Sequence, residues 1–163
     1  MRRLVLYTKT PQVSMLFASP TKRTPRLVRW TQREFAHVYV QFGSLIGMSV
    51  NHGKDFQWVC PKTMSRVMAQ SGTKRVVRCS MPARYASYTA TTMGTPVDHC
   101  KTYLDMVFPF MGLTANNCVS YAQSVAETES GVVLNKRART PKGLLNLLVD
   151  NGWTTEEIDH YVY

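Results

Sequence analysis

The sequence predicts an α+β fold in which a cysteine-bearing helix packs on an antiparallel, partly barrelled sheet of about five or six strands. Three observations lead there. Between residues 35 and 60, three β-prone runs follow one another with only turn residues between them, which suits hairpins and leaves no room for the crossover helix of a parallel sheet. Helical spacing of apolar residues is confined to separate stretches, three of them opened by proline at the first helical position (Pro61, Pro96 and Pro141). No internal repeat or low-complexity tract interrupts this order, and 163 residues suit a single domain, 1–163, with one core.

Residues 3–7 and 12–18 are apolar, β-prone runs separated by Pro11 and read as two short strands. Ser19 to Arg26 carries two prolines and three basic residues, which makes it an exposed loop, solvated or touching phosphates as an arm. Leu27 to Trp30 is read as a further strand. Phe35 to Phe42 has the period-2 alternation of a half-buried strand, and Gly43-Ser44 supplies a hairpin turn. A second strand follows from Leu45 to Asn51 and a third from Phe56 to Cys60. A two-residue turn at Gly43-Ser44 pairs Phe42 with Leu45 and His37 with Val50.

Pro61 opens a short helix with Met64, Val67 and Met68 on one face and Gly72 as its stop. Val76, Val77 and Cys79 lie in another strand. Met81 to Gly94 shows no period and reads as loop. Thr95-Pro96 starts a helix whose inner face carries Val97, Cys100, Leu104 and Val107, so Cys100 is expected in the core. In residues 116–126, Cys118, Tyr121, Ala122, Val125 and Ala126 form one continuous helical face behind an Asn116 or Asn117 N-cap. Thr140-Pro141 begins the last helix, with Leu144, Leu145, Leu147 and Leu148 before the stop at Gly152.

A composition of 44% hydrophobic and 18% charged residues is that of a folded protein rather than a disordered one. The apolar run after Met1 is too short for a signal peptide, and no stretch approaches the ~20 residues that span a bilayer. The four cysteines (Cys60, Cys79, Cys100, Cys118) are widely spaced without a Cys-x-x-Cys pair, which argues against a zinc site and a disulfide framework. A reducing, cytoplasmic setting is expected. Through Arg84 there are 15 Lys and Arg against Glu34 and Asp55, a net of +13, whereas the remainder has 5 basic and 8 acidic residues, a net of −3. Such asymmetry fits a surface for nucleic acid or an acidic protein partner, or a basic face that serves solubility.

Cys118 in a first helical turn would have its thiol acidified by backbone N–H groups and the helix dipole, as a nucleophile requires; alternatively it is a small core residue. A thiol nucleophile needs a base, normally histidine, and a group that orients the imidazole. Of the four histidines, His160 lies near the C-terminus and His99 at a helix start. His37 lies on a strand that can face a packed helix, or is simply a satisfied strand histidine. In the hairpin register above, His52 is a diagonal neighbour of His37, and a slip of one residue brings Asn51 there instead.

Phe35-Ala36-His37-Val38-Tyr39-Val40, then Asn117-Cys118-Val119-Ser120-Tyr121-Ala122, then Arg139-Thr140-Pro141-Lys142-Gly143-Leu144 together resemble the circularly permuted NlpC/P60 papain-like proteins. That group includes lecithin–retinol acyltransferase-like enzymes and many small bacteriophage proteins. The resemblance spans residues 30–152, leaving 1–29 as an N-terminal extension. It implies a permuted papain-like fold and a hydrolase or acyltransferase acting on an amide or ester bond, with Cys118 as nucleophile and His37 as base. The third residue is then His52, Asn51 or Ser49. No metal or organic cofactor is implied, and the partner is a peptide or acyl substrate. Many phage members carry an acidic residue two positions after the histidine, where Tyr39 stands here. Members that keep the fold without catalysis imply the alternative, a virion or interaction protein with a basic DNA- or partner-binding face, located in the host cytoplasm or the virion.

Overall fold

The computed structural model describes residues 13–43, 45–50, 55–82 and 118–158. Its central strand, β1 (Val13–Ala18), is buried along its whole length, as a strand covered on both faces must be. β2 (His37–Phe42), β3 (Leu45–Val50) and β4 (Asp55–Val59) extend the sheet on one side. On the other side lie β5 (Val76–Ser80) and β6 (Thr154–Ile158), so that the order is β4-β3-β2-β1-β5-β6, antiparallel throughout. The sheet is open rather than partly barrelled: β4 and β6 are its edges among the described residues. Part of the stretch read as an N-terminal extension is therefore the innermost strand, and the core begins by Val13.

Alternation along the strands makes two cores. Val13, Met15, Phe17, Val38, Val40, Phe42, Val77 and Cys79 face one side. There they meet Val119, Ala122 and Val125 of α3 (Cys118–Ser130) and Leu144 and Leu148 of α4 (Pro141–Asp150). Leu16, Ile46 and Val76 face the other side, against Met64 and Met68 of α2 (Pro61–Ser71). The signals read for the start and end of α2 and for the start of α4 hold. Gly72 ends α2 at φ 75°, a left-handed conformation that only glycine adopts without strain, and the Thr140 hydroxyl caps α4 by accepting from the Gly143 N–H at 3.0 Å. The hairpin register holds from Phe42↔Leu45 to Val40↔Gly47, but the strands part beyond it, so the expected pairing of His37 with Val50 is not formed.

Two elements differ from expectation. Leu27 to Trp30 is not a strand but most of a short helix, α1 (Arg26–Thr31), which buries only Val28. A run of four apolar and basic residues without alternation carries no strand period, and Pro25 at the N-cap suits a helix start. β6 (Thr-Thr-Glu-Glu-Ile) was not anticipated because it lacks apolar alternation. Backbone pairing to β5 holds it, with Glu156 opposite Arg78 at 2.8 Å and Glu157 paired with Arg75. The strand expected at 3–7, the Thr95 helix with Cys100, and the loop beyond residue 82 lie outside the described residues.

Candidate active site at the β2–β3 opening

β2 starts at His37, and the direction of its peptide groups follows from the ladder. The Met81 N–H donates to the Val13 carbonyl at 2.9 Å, so the odd-numbered residues of β1 bond towards β5 and the even-numbered ones towards β2. Through the pairs Ala18↔His37 and Leu16↔Tyr39, His37 and Tyr39 direct their backbone groups to β1, whereas Val38, Val40 and Phe42 direct theirs to the β3 side. Phe42↔Leu45 and Val40↔Gly47 use two of those positions; the next would be Val38↔Ser49. The β2–β3 pairing ends at Gly47, however, while β3 stays with β4 through Ser49↔Phe56 and Val50↔Asp55. The sheet therefore opens at Val38, and its peptide N–H faces the opening.

Cys118, the first residue of α3, lies within reach of that N–H, which is one of the groups that draw its pKa down. Val38 nitrogen belongs to the peptide bond that joins it to His37, so the thiol sits one peptide from the histidine. Burial pushes the Cys118 thiol up to about 11, while the N–H groups of Val38, Val119 and Cys118 itself draw it down without overcoming desolvation. The helix-start effect expected from sequence is present and loses, so the resting group near neutral pH is a thiol. Tyr39 is pushed up to about 12, first by burial and then by negative charge on Cys118, which places the two groups within electrostatic reach. The rings of His37 and Tyr39 meet edge to face, with centroids 4.2 Å apart.

Strand alternation assigns His37 and Tyr39 to the α2 side of β2, and Cys118 packs among the cluster on the α3 side. The sulfur lies at the lateral edge of the strand, where β3 has left it. Tyr39 shares the face of His37 and senses the charge of Cys118, so the two groups lie within electrostatic reach across β2. Tyr39 is the member of this group that the sequence reading left as a departure from pattern; its signal was the i, i+2 spacing from His37 on one strand face. His52 and Asn51 lie outside the described residues, and Ser49 is placed by its backbone in β3.

The acidified thiol is a different one. Cys60 is exposed at the N-cap of α2 with its sulfur 3.3 Å from Thr63 Oγ1; that hydroxyl, then the N–H groups of Thr63 and Lys62, lower its pKa. Cys79, buried in the sheet, is pushed up to about 12 by desolvation. Among the described residues no group of three His, Cys, Asp or Glu could hold a metal ion, and no helix is long and apolar enough to cross a membrane. No family model, curated protein or solved structure matches the chain.

Proposed function

We propose that the chain is a cysteine-dependent hydrolase or acyltransferase acting on an amide or ester bond, with Cys118 as nucleophile and His37 as base in a permuted papain-like scaffold. The observation that supports it is that the thiol of the first residue of α3 lies within reach of the peptide N–H that follows His37. Because burial keeps that thiol neutral, His37 acts as a general base during attack and does not hold a resting thiolate–imidazolium pair. The imidazole takes the Sγ proton as sulfur bonds to the acyl carbon. The resulting oxyanion accepts from first-turn N–H groups of α3. Collapse expels an amine or alcohol, which takes the proton from the imidazolium, and water or an acceptor nucleophile cleaves the thioester. Tyr39, neutral near pH 7, restricts the imidazole by ring contact, and His52, Asn51 or Ser49 supplies the polar orienting partner. The substrate class is a peptide or other acyl compound; in a phage-type setting this means a peptidoglycan peptide or a host protein, with the chain in the host cytoplasm or the virion.

A second reading, a non-catalytic virion or interaction protein with a basic partner-binding face, is favoured by the neutral thiol and by the exposed cations of α1. Cys118→Ser separates the two readings. It is nearly isosteric, so the variant should melt within about 1 kcal/mol of the parent. Under the catalytic reading it loses turnover of a thioester and peptide substrate panel by orders of magnitude, because a serine hydroxyl is far less acidic than a thiol. Full retention of the parent's activity in the variant would leave Cys118 as packing.

A further inference from the structure

We infer that α1 and the turn before it form a binding site for single-stranded nucleic acid, in which Trp30 stacks on a base and the surrounding cations hold phosphates. The inference rests on the reading of the basic N-terminal half as a partner surface and gives that surface a location and a ligand. Trp30 is 67% exposed and Leu27 49%, since α1 buries only Val28. Arg26, Arg29 and Trp30 recur at i, i+3 and i+4, one outward face with the indole beside guanidinium groups, and Arg33 follows two residues past the helix end. Arg33 Nε donates to the Trp30 carbonyl at 3.2 Å, which keeps that guanidinium beside the ring's own backbone.

The preceding turn is fixed as well. The Thr24 N–H donates to the Thr21 carbonyl at 3.1 Å and the Thr21 N–H to Thr24 Oγ1 at 2.9 Å, so Lys22 and Arg23 are presented from an ordered turn. The carboxylate nearest in sequence, Glu34, is engaged by Arg75 at 3.1 Å and Lys142 at 3.0 Å. Among the described residues, Lys22, Arg23, Arg26, Arg29 and Arg33 take part in none of the ion pairs, which leaves their charge available to an external anion. A groove of about 480 Å³ opens beside the indole, lined by Trp30, Arg33, Phe35, Lys142 and the ion-paired Glu34 among others.

An exposed aromatic face among cations is the pairing that reads bases and phosphates of a single strand, where base faces are accessible. Duplex DNA hides those faces, and a six-residue helix, about 9 Å long, is too short to lie along a major groove. A membrane surface requires a continuous apolar helix face, whereas here Leu27 and Trp30 stand among arginines.

The test is fluorescence anisotropy with a labelled oligo-dT of about 12 nucleotides, within the span one small site covers, against a duplex of equal length, polyglutamate, and vesicles of anionic phospholipid. The inference expects oligo-dT to bind best and its log–log salt slope to shrink by about 0.7 in Arg29→Ala, one phosphate contact. Trp30→Ala, which melts like the parent because the ring is exposed, should weaken oligo-dT binding roughly tenfold or more and leave polyglutamate unchanged. Equal binding of oligo-dT, duplex and polyglutamate with no effect of Trp30→Ala would overturn the inference and leave the basic face standing. Preference for vesicles overturns it in favour of lipid. Absence of binding to every polyanion at low salt removes the site and the basic-face reading together.

Discussion

At Cys60 the thiol stands in solvent, and the Thr63 hydroxyl with the first N–H groups of α2 makes it more acidic; at Cys118 and Cys79 burial wins and the thiols rise to about 11 and about 12. The same helix-start geometry therefore gives opposite results at Cys60 and Cys118, and desolvation decides the sign. Among Cys60, Cys79 and Cys118, alkylation near pH 7.5 followed by peptide mass mapping should modify Cys60 first and Cys79 last, since the thiolate is the reacting species. Comparable rates at Cys79 and Cys60 in the folded protein would contradict this assignment. The candidate residues themselves could be read from the sequence, because Asn-Cys before a small-residue helix face and a histidine on an alternating strand are local patterns. The direction of the Cys118 shift could not, because it depends on burial against a core assembled from strands far away in sequence.

Among the elements, α3 does more than carry Cys118. Gln123, buried on its inner side, donates from Nε2 to the Lys136 carbonyl at 2.7 Å and accepts at Oε1 from the Ala138 N–H at 2.8 Å. Glu127 adds a bond from the Leu134 N–H at 3.1 Å, so the connection to α4 is tied to α3 by side chains in place of backbone pairing. Gln123→Ala leaves one carbonyl and one N–H unpaired and should cost about 2 kcal/mol, seen as a lower urea midpoint at unchanged slope. An unchanged midpoint would mean that water replaces both bonds without loss. Element type was legible where a period or a cap was present: the Gly43 turn set the β2–β3 register, and Thr140-Pro141 set the start of α4. It was not legible for α1, too short to show a period, or for β6, whose polar sequence is held by pairing with β5 and by Arg75 and Arg78.

For the whole molecule, the raised pKa values imply alkaline sensitivity. Cys118 and Cys79 move from the ordinary 9.0 to about 11 and about 12, and Tyr39 and Tyr121 from 10.0 to about 12. Each folded value lies above the unfolded one, so the unfolded chain releases protons first as pH rises. The stability these groups contribute is complete below about pH 9 and declines as pH climbs through 9 to 12. Urea midpoints at pH 7, 9 and about 10.5 should therefore be level and then fall, and a midpoint that holds or rises above pH 9 would contradict the burial of these groups. The three-layer arrangement followed from the sequence only in part, since apolar alternation marks strands but does not say that β3 leaves β2 at Gly47 and opens the sheet beside His37. That opening is where the proposed chemistry takes place, and it can be tested without knowing the substrate. In a Cys60→Ser background, which removes the acidified surface thiol, transfer of an acyl group from an aryl ester to Cys118 is followed by intact mass and peptide mapping between about pH 6 and 9. A Cys118 thioester should form at a rate that falls roughly 10²-fold or more in His37→Ala. Equal rates with and without His37, or a rate that climbs only with ionisation of the thiol towards about 11, would contradict it.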